Sequence, residues 1–123
     1  MTDQQTKNYV FTITECGNDT DRVATPLVLA NSALATDGKA LLWLTMSGVE
    51  LARKGTAEKL GAGTFPPVKD LLDTFIEAGG EIGICPPCAK THGLTDEDKL
   101  DSAQWMGAVA LLDQANNSQT FSF

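Results

Sequence analysis

The sequence predicts an α/β domain in which a largely parallel sheet is covered by helices on both faces. Three observations carry that expectation. Short apolar runs, such as Tyr9-Val-Phe-Thr-Ile-Thr14 and Ala40-Leu-Leu-Trp-Leu44, are rich in aromatic, β-branched or aliphatic residues and too brief for helices. Longer segments between them carry a helical period, best seen in Val68, Leu71, Leu72, Phe75 and Ile76. The two kinds alternate along the chain, which is the pattern of strands joined by helical crossovers. With 123 residues, 42% of them apolar and 20% charged, the chain has the material for one core. A fold of this size buries roughly two-thirds of the surface its unfolded chain exposes.

Taken in order, residues 1–8 read as a flexible polar segment ahead of a domain over residues 9–123. The first strand, Tyr9 to Thr14, ends at Cys16-Gly17. Asn18, Asp19, Thr20 and Asp21 then offer helix N-caps, and Val23, Leu27, Ala30 and Leu34 mark a helix from about Asp21 to Thr36. Pro26 must lie in its first turn, or the helix starts at Thr25, because proline lacks the N–H that an interior position donates. After Asp37-Gly38 comes the strand Ala40–Leu44, then Ser47-Gly-Val-Glu50, which matches a capping box. The helix it opens is short, since Gly55 follows Arg53-Lys54.

Thr56 to Thr64 carries no clear period and reads as an adaptable loop. Pro66-Pro67 opens the cleanest helix, which Gly79-Gly80 ends. Glu81-Ile-Gly-Ile84 is a brief strand running straight into Cys85. Cys88 to His92 spans one or two helical turns closed by Gly93, and Thr95-Asp-Glu-Asp98 resembles a further helix start. Ala103–Met106 is expected as a strand, Gly107–Ala115 as a helix and Gln119–Phe123 as a terminal strand. No internal repeat is present.

Sixteen acids against nine bases give a net charge of −7, which argues against binding nucleic acid through its phosphates. No apolar run reaches the ~18 residues that span a bilayer, so no membrane role is expected. The polar start Met1-Thr-Asp-Gln-Gln-Thr-Lys lacks a signal peptide's apolar stretch, and a cytoplasmic location is expected. Three cysteines, two in Cys85-Pro-Pro-Cys88, point to redox, sulfur or metal chemistry rather than a disulfide framework.

In a parallel sheet with right-handed crossovers, strand C-termini share the edge where ligands bind. Cys16 and Cys85 each sit just past a strand, so they belong to that edge. Cys85 also opens a helix, whose free N–H groups and dipole favour a thiolate. Lys90 is the nearest cation in sequence, and His92 shares a helical face with Cys88. As the chain's one histidine, it is the subunit's sole imidazole base or ligand. Each residue also has a plainer reading: Cys16 as core packing, His92 as a solvated side chain, Trp43 and Trp105 as core or interface. Asp96, Glu97, Asp98 and Asp101 equally fit a solvated helix face.

Three other classes compete. Cys85, Cys88, His92 and Cys16 could close a structural zinc site, although such sites use two short ligand pairs and only one is present. A thioredoxin-type oxidoreductase places C-x-x-C after an early strand, whereas this motif comes two-thirds along the chain with no later proline loop. A purely oligomeric interaction module would use Phe121 and Phe123 as subunit contacts.

Several segments together resemble the DsrE/DsrF-like family, small sulfur-transfer proteins with the YchN-type fold. These are the first strand with Asn18-Asp19, the helix segment Leu29-Ala-Asn-Ser-Ala-Leu-Ala35, and the Trp43 strand leading to Met46-Ser-Gly-Val49. The most specific is Ile82-Gly-Ile-Cys-Pro-Pro-Cys-Ala-Lys-Thr-His-Gly-Leu94, with Cys88 as the second cysteine of a branch often labelled predicted peroxiredoxin. The resemblance implies a five-stranded, largely parallel sheet and a homotrimer or homohexamer with pockets near its interfaces. It implies Cys85 as the sulfur acceptor, Cys88 as auxiliary thiol, and a sulfur-carrier protein or small sulfur donor as partner. Gly17, Asn18 and Ser47 are candidate pocket-lining residues, or simply turn and cap residues. No cofactor is expected beyond the zinc alternative, and peroxidase activity is not expected.

Overall fold

The computed structural model describes residues 6–61 and 65–123. Five strands form one sheet: β1 (Asn8–Ile13), β2 (Lys39–Leu44), β3 (Glu81–Ile84), β4 (Ala103–Trp105) and β5 (Gln119–Ser122), in the order β4-β3-β2-β1-β5. Every neighbouring pair is parallel. The helices are α1 (Asp21–Ala35), α2 (Thr56–Lys59), α3 (Val68–Glu77), α4 (Pro86–Thr91) and α5 (Ala108–Ala115), with a 3-10 segment over Met46–Ala52.

Strand order decides how the helices are shared between the faces. From β1 to β4 each crossover steps in one direction, so right-handed connections lay α1, α3 and α4 on a single face. The return from β4 to β5 steps the other way and places α5 opposite. Side-chain alternation agrees with this division. Phe11, Ile13, Leu42, Leu44, Ile82 and Ile84 join the large core with α1 and α3, while Val10 and Leu41 face Met106 and α5. The second face is thin. Gly83 is needed there, because an added Cβ would come 2.9 Å from the Met106 sulfur.

Four expectations need correction. Pro26 lies inside α1, in its second turn, and its ring is buried. The helix nevertheless starts at Asp21, since the Val23 and Ala24 amides bond the Thr20 carbonyl at 3.0 and 2.8 Å. Apolar burial of the ring offsets the missing donor. Ser47 is no cap: Thr45 precedes the 3-10 segment, and Glu50 turns to Arg53 and His92 instead. Thr56 to Thr64 is not all loop, as Thr56–Lys59 form a helical turn; residues 62–64 lie outside the described residues, as do 1–5 of the N-terminal segment.

Thr95–Asp98 makes a single turn and no helix. Its backbone is taken up elsewhere: the Lys54 amide bonds the Asp98 carbonyl at 2.8 Å, Arg53 bridges Lys99, and the Leu100 amide bonds the Ala52 carbonyl at 2.7 Å. The acids nearby therefore do not line a helix. The remaining strands and helices stand within a residue or two of their expected bounds.

Candidate functional site

The C-terminal edge of the sheet is tied together by main-chain bonds that outlast the strands. The Thr45 amide bonds the Ile13 carbonyl at 3.1 Å, the Cys85 amide bonds the Leu44 carbonyl at 2.9 Å, and the Met106 amide bonds the Ile84 carbonyl at 2.8 Å. In this order Thr45, at the end of β2, stands between Cys16 beyond β1 and Cys85 beyond β3. The 3-10 segment then crosses the end of β1 at very close range. A Cβ on Gly48 would collide with the Ile13 carbonyl, so only glycine lets the backbone pass.

Cys85 is the residue before α4, with Pro86 and Pro87 as the first two helical positions. Two of the helix's free N–H groups are therefore absent, which weakens the helix-terminus explanation for a reactive thiol. Cys88 finds another source of stabilisation. Its Sγ lies 3.3 Å from the Thr45 hydroxyl. That hydrogen bond holds the Cys88 thiol below its ordinary value against the opposing effect of burial; the Met46 backbone amide and the Cys85 thiol add to the lowering. Cys85 and Cys88 thus share one small site with the loop after β2.

Met46 is a further sign of constraint. Its φ is +54°, a left-handed conformation that a residue with a Cβ rarely takes. The residue is 60% exposed, so side-chain packing does not impose the strain. The Gly48 amide closes the turn onto the Thr45 carbonyl at 2.9 Å, and the distortion is held beside Cys88.

Cys16 differs. Burial first, then the neighbouring Glu15 and Glu50 carboxylates, push its thiol up to about 11. Glu15 Oε1 accepts the Asn18 amide at 2.8 Å, while Oε2 is buried with no hydrogen-bond partner among the described residues. Cys16 packs against the main core, so its plainer reading as a packing residue fits. Gly17 takes φ +112° in the exposed turn that Asn18 closes on Glu15, and Ser47 Oγ reaches the Thr14 carbonyl only at 3.5 Å. These three are turn and edge residues.

His92 turns its ring to Glu50. Its Nδ1 lies 3.5 Å from Glu50 Oε2, and its carbonyl accepts from the Arg53 guanidinium at 2.8 Å. Arg53 Nε donates to Glu50 Oε1 at 2.7 Å, and this bond chiefly holds the Glu50 carboxyl below its usual range. The result is a Glu50–Arg53–His92 clamp joining the 3-10 segment to the end of α4. Lys90 also points elsewhere: with Pro86, Ala89, Leu94 and Trp105 it lines an open cleft of about 440 Å³. Pro86 and Lys90, each two residues from Cys88, fall on the other side of α4 from it.

The zinc alternative needs Cys16, Cys85, Cys88 and His92 together. Among the described residues, no three His, Cys, Asp or Glu side chains converge as a metal site. Phe121 stacks on Phe11 of its own chain, ring centroids 5.4 Å apart. Sequence reasoning missed Thr45, Met46 and the Glu50 clamp. Thr45 could have been found from its place directly after β2, between the two cysteine-bearing strand ends.

The DsrE/DsrF-like family model matches residues 7–123. An uncharacterized protein of Methanopyrus kandleri is 32% identical over 92 residues, covering 75% of this chain and 73% of its own. An uncharacterized protein of Methanocaldococcus jannaschii is 28% identical over 116 residues, covering 92% and 98% respectively. Among solved structures, the ychN protein from E. coli superposes with a TM-score of 0.80 at 16% identity, over 95% of this chain and 99% of that one.

Proposed function

The chain belongs to the DsrE/DsrF-like family, a family associated with sulfur relay, and from that premise we propose that it carries sulfane sulfur on the Cys85–Cys88 pair. The observation that carries the proposal is the Cys88 thiol on the Thr45 hydroxyl, with Cys85 as its neighbouring thiol, at the C-terminal edge of a parallel sheet where such folds bind ligands. A thiolate of the pair attacks the outer sulfur of a persulfide or polysulfide donor. A new S–S bond forms on the cysteine, the donor's S–S bond breaks, and its electron pair leaves with the donor thiolate.

The loaded sulfur has two exits. A partner's thiolate takes the outer sulfur and returns the cysteine to thiolate. Alternatively the second cysteine attacks the inner sulfur and expels hydrosulfide, leaving a Cys85–Cys88 disulfide. In that step two thiols are oxidised and the sulfane sulfur is reduced; an external dithiol reductant then resets the pair. A reducing compartment such as the cytoplasm suits this cycle. Among the described residues, no helix is long and apolar enough to cross a membrane.

Self-association belongs to the same proposal. Helix α5 has no buried residue, and Val109 and Leu112 are 80% and 68% exposed. That apolar stripe supports a homotrimer or homohexamer built through the thin sheet face. Native mass spectrometry of the wild type and of Val109→Glu/Leu112→Glu tests it; equal masses would remove α5 from any interface.

The decisive test of the sulfur reading is mass spectrometry after polysulfide exposure. The wild type is expected to gain sulfur or to close the Cys85–Cys88 disulfide, either change being reversed by dithiothreitol, and Cys85→Ser/Cys88→Ser is expected to do neither. Full uptake by the double variant would sink the assignment.

A further inference from the structure

We propose that Thr45 and Met46 form the anion-holding corner of this site and make Cys88 the attacking sulfur, with Cys85 as the thiol that resolves it. This deepens the sulfur-relay reading and rests on it. It also reverses the order that the resemblance alone implies for the two cysteines.

The geometry favours Cys88. An attacking thiolate needs fixed donors already aimed at its charge, since donors that must reorganise give up much of their benefit. Cys88 Sγ has the Thr45 hydroxyl at 3.3 Å. Thr45 is itself fixed by its amide bond to the Ile13 carbonyl and by the Gly48 amide on its own carbonyl. Met46, next in the chain, is held at φ +54° with its side chain largely in solvent. A left-handed residue there serves the direction of the backbone, and its amide contributes to the stabilisation of Cys88. Cys85, by contrast, precedes two prolines that present no N–H, so the helix start supplies it little.

Cys85 lies on the same element as Cys88, and the Glu50–Arg53–His92 clamp lies on the 3-10 segment and the end of α4. Thr45 is therefore a positioning residue with an electrostatic duty. In the step it assists, the Cys88 thiolate forms a bond to the donor's outer sulfur while the donor thiolate leaves with the electron pair. Cys85, as thiolate, then attacks Cys88 Sγ and hydrosulfide departs.

The test isolates each thiol. In Cys16→Ser/Cys85→Ser only Cys88 remains, and in Cys16→Ser/Cys88→Ser only Cys85. The pH midpoint of iodoacetamide alkylation is measured for both, then for Thr45→Val and Thr45→Ser in the Cys88-only chain. Cys88 is expected to alkylate faster than Cys85 at neutral pH. Thr45→Val should raise the Cys88 midpoint by about one pH unit, the worth of one hydrogen bond to a charged group, and Thr45→Ser should restore it. A Thr45→Val profile that superposes on its parent overturns the proposal. So does faster alkylation of Cys85 than of Cys88 at neutral pH, a comparison that needs no change at Thr45. Reaction of the wild type with polysulfide separates the two claims: sulfur uptake or Cys85–Cys88 disulfide closure with an unmoved Thr45→Val midpoint defeats this inference and leaves sulfur relay standing.

Discussion

At the end of β1, Cys16 is half-buried between the carboxylates of Glu15 and Glu50; at the end of β3, Cys88 meets a hydroxyl, an amide and a second thiol. Both lie on the same edge of one sheet, separated by the single strand β2. Their thiols are pushed in opposite directions all the same, one to about 11 and the other below its ordinary 9.0. Position on the functional edge does not make a cysteine reactive. The donors and charges that the neighbouring loops bring to the sulfur decide it.

The largest effect that sharpens this contrast is chemical. At pH 8 a thiol with a pKa of about 11 is ionised in about one molecule per thousand. Cys16 should therefore alkylate on the order of 100-fold more slowly than Cys88 in the folded protein, and at a similar rate in denaturant. Time-resolved labelling with peptide mapping checks this; equal rates in the native state would erase the comparison.

A second effect follows from linkage, and the signs differ. Cys16 has a raised folded value, so between its ordinary 9.0 and about 11 the unfolded chain holds fewer protons and stability falls as pH rises. The loss is on the order of 2 kcal/mol, and Cys16→Ala should flatten it. Cys88 has a lowered value, so its contribution grows as pH rises through the folded value and is complete above 9.0. Urea unfolding across alkaline pH reads both. A slope unchanged in Cys16→Ala would contradict the burial of that thiol.

Glu50 gives a smaller effect. Its carboxyl is held low by Arg53, so the unfolded chain binds more protons and stability falls as pH drops from 4.5 through the folded value. The group is partly solvated, so Glu50→Gln should flatten the acid limb by no more than about 1 kcal/mol. The same variant should lower the Cys16 midpoint by less than about one unit, because burial is the larger cause. The smallest effect is at Met46. Met46→Gly keeps the amide and relieves the left-handed strain, so stability should change by less than about 1 kcal/mol and Cys88 should titrate as before. A shifted midpoint would mean that the side chain matters to the site.

Much of this architecture was legible from local pattern. Short apolar runs became strands, the Val68–Ile76 stripe became α3, and Cys85-Pro-Pro-Cys88 fell at a strand-to-helix junction as read. Local pattern failed where distant backbone took over. Thr95–Asp98 had the look of a helix start, yet the Asp98 carbonyl is claimed by the Lys54 amide and the following Leu100 amide by the Ala52 carbonyl. Ser47 and Glu50 had the spacing of a capping box, but Arg53 and His92 offered Glu50 side-chain partners. The donors to Cys88 lie 43 residues away in sequence, and only the parallel pairing of β2 with β3 brings them to it. No spacing rule reports such a contact.

The most direct test of the account is peptide-mapped mass spectrometry of the wild-type protein after exposure to polysulfide. The peptide containing Cys85 and Cys88 is predicted to carry an added sulfur or the internal disulfide left when that sulfur departs, either reversed by dithiothreitol, while the peptide containing Cys16 stays unmodified. Sulfur found on Cys16, or neither change on the Cys85–Cys88 peptide, would contradict it.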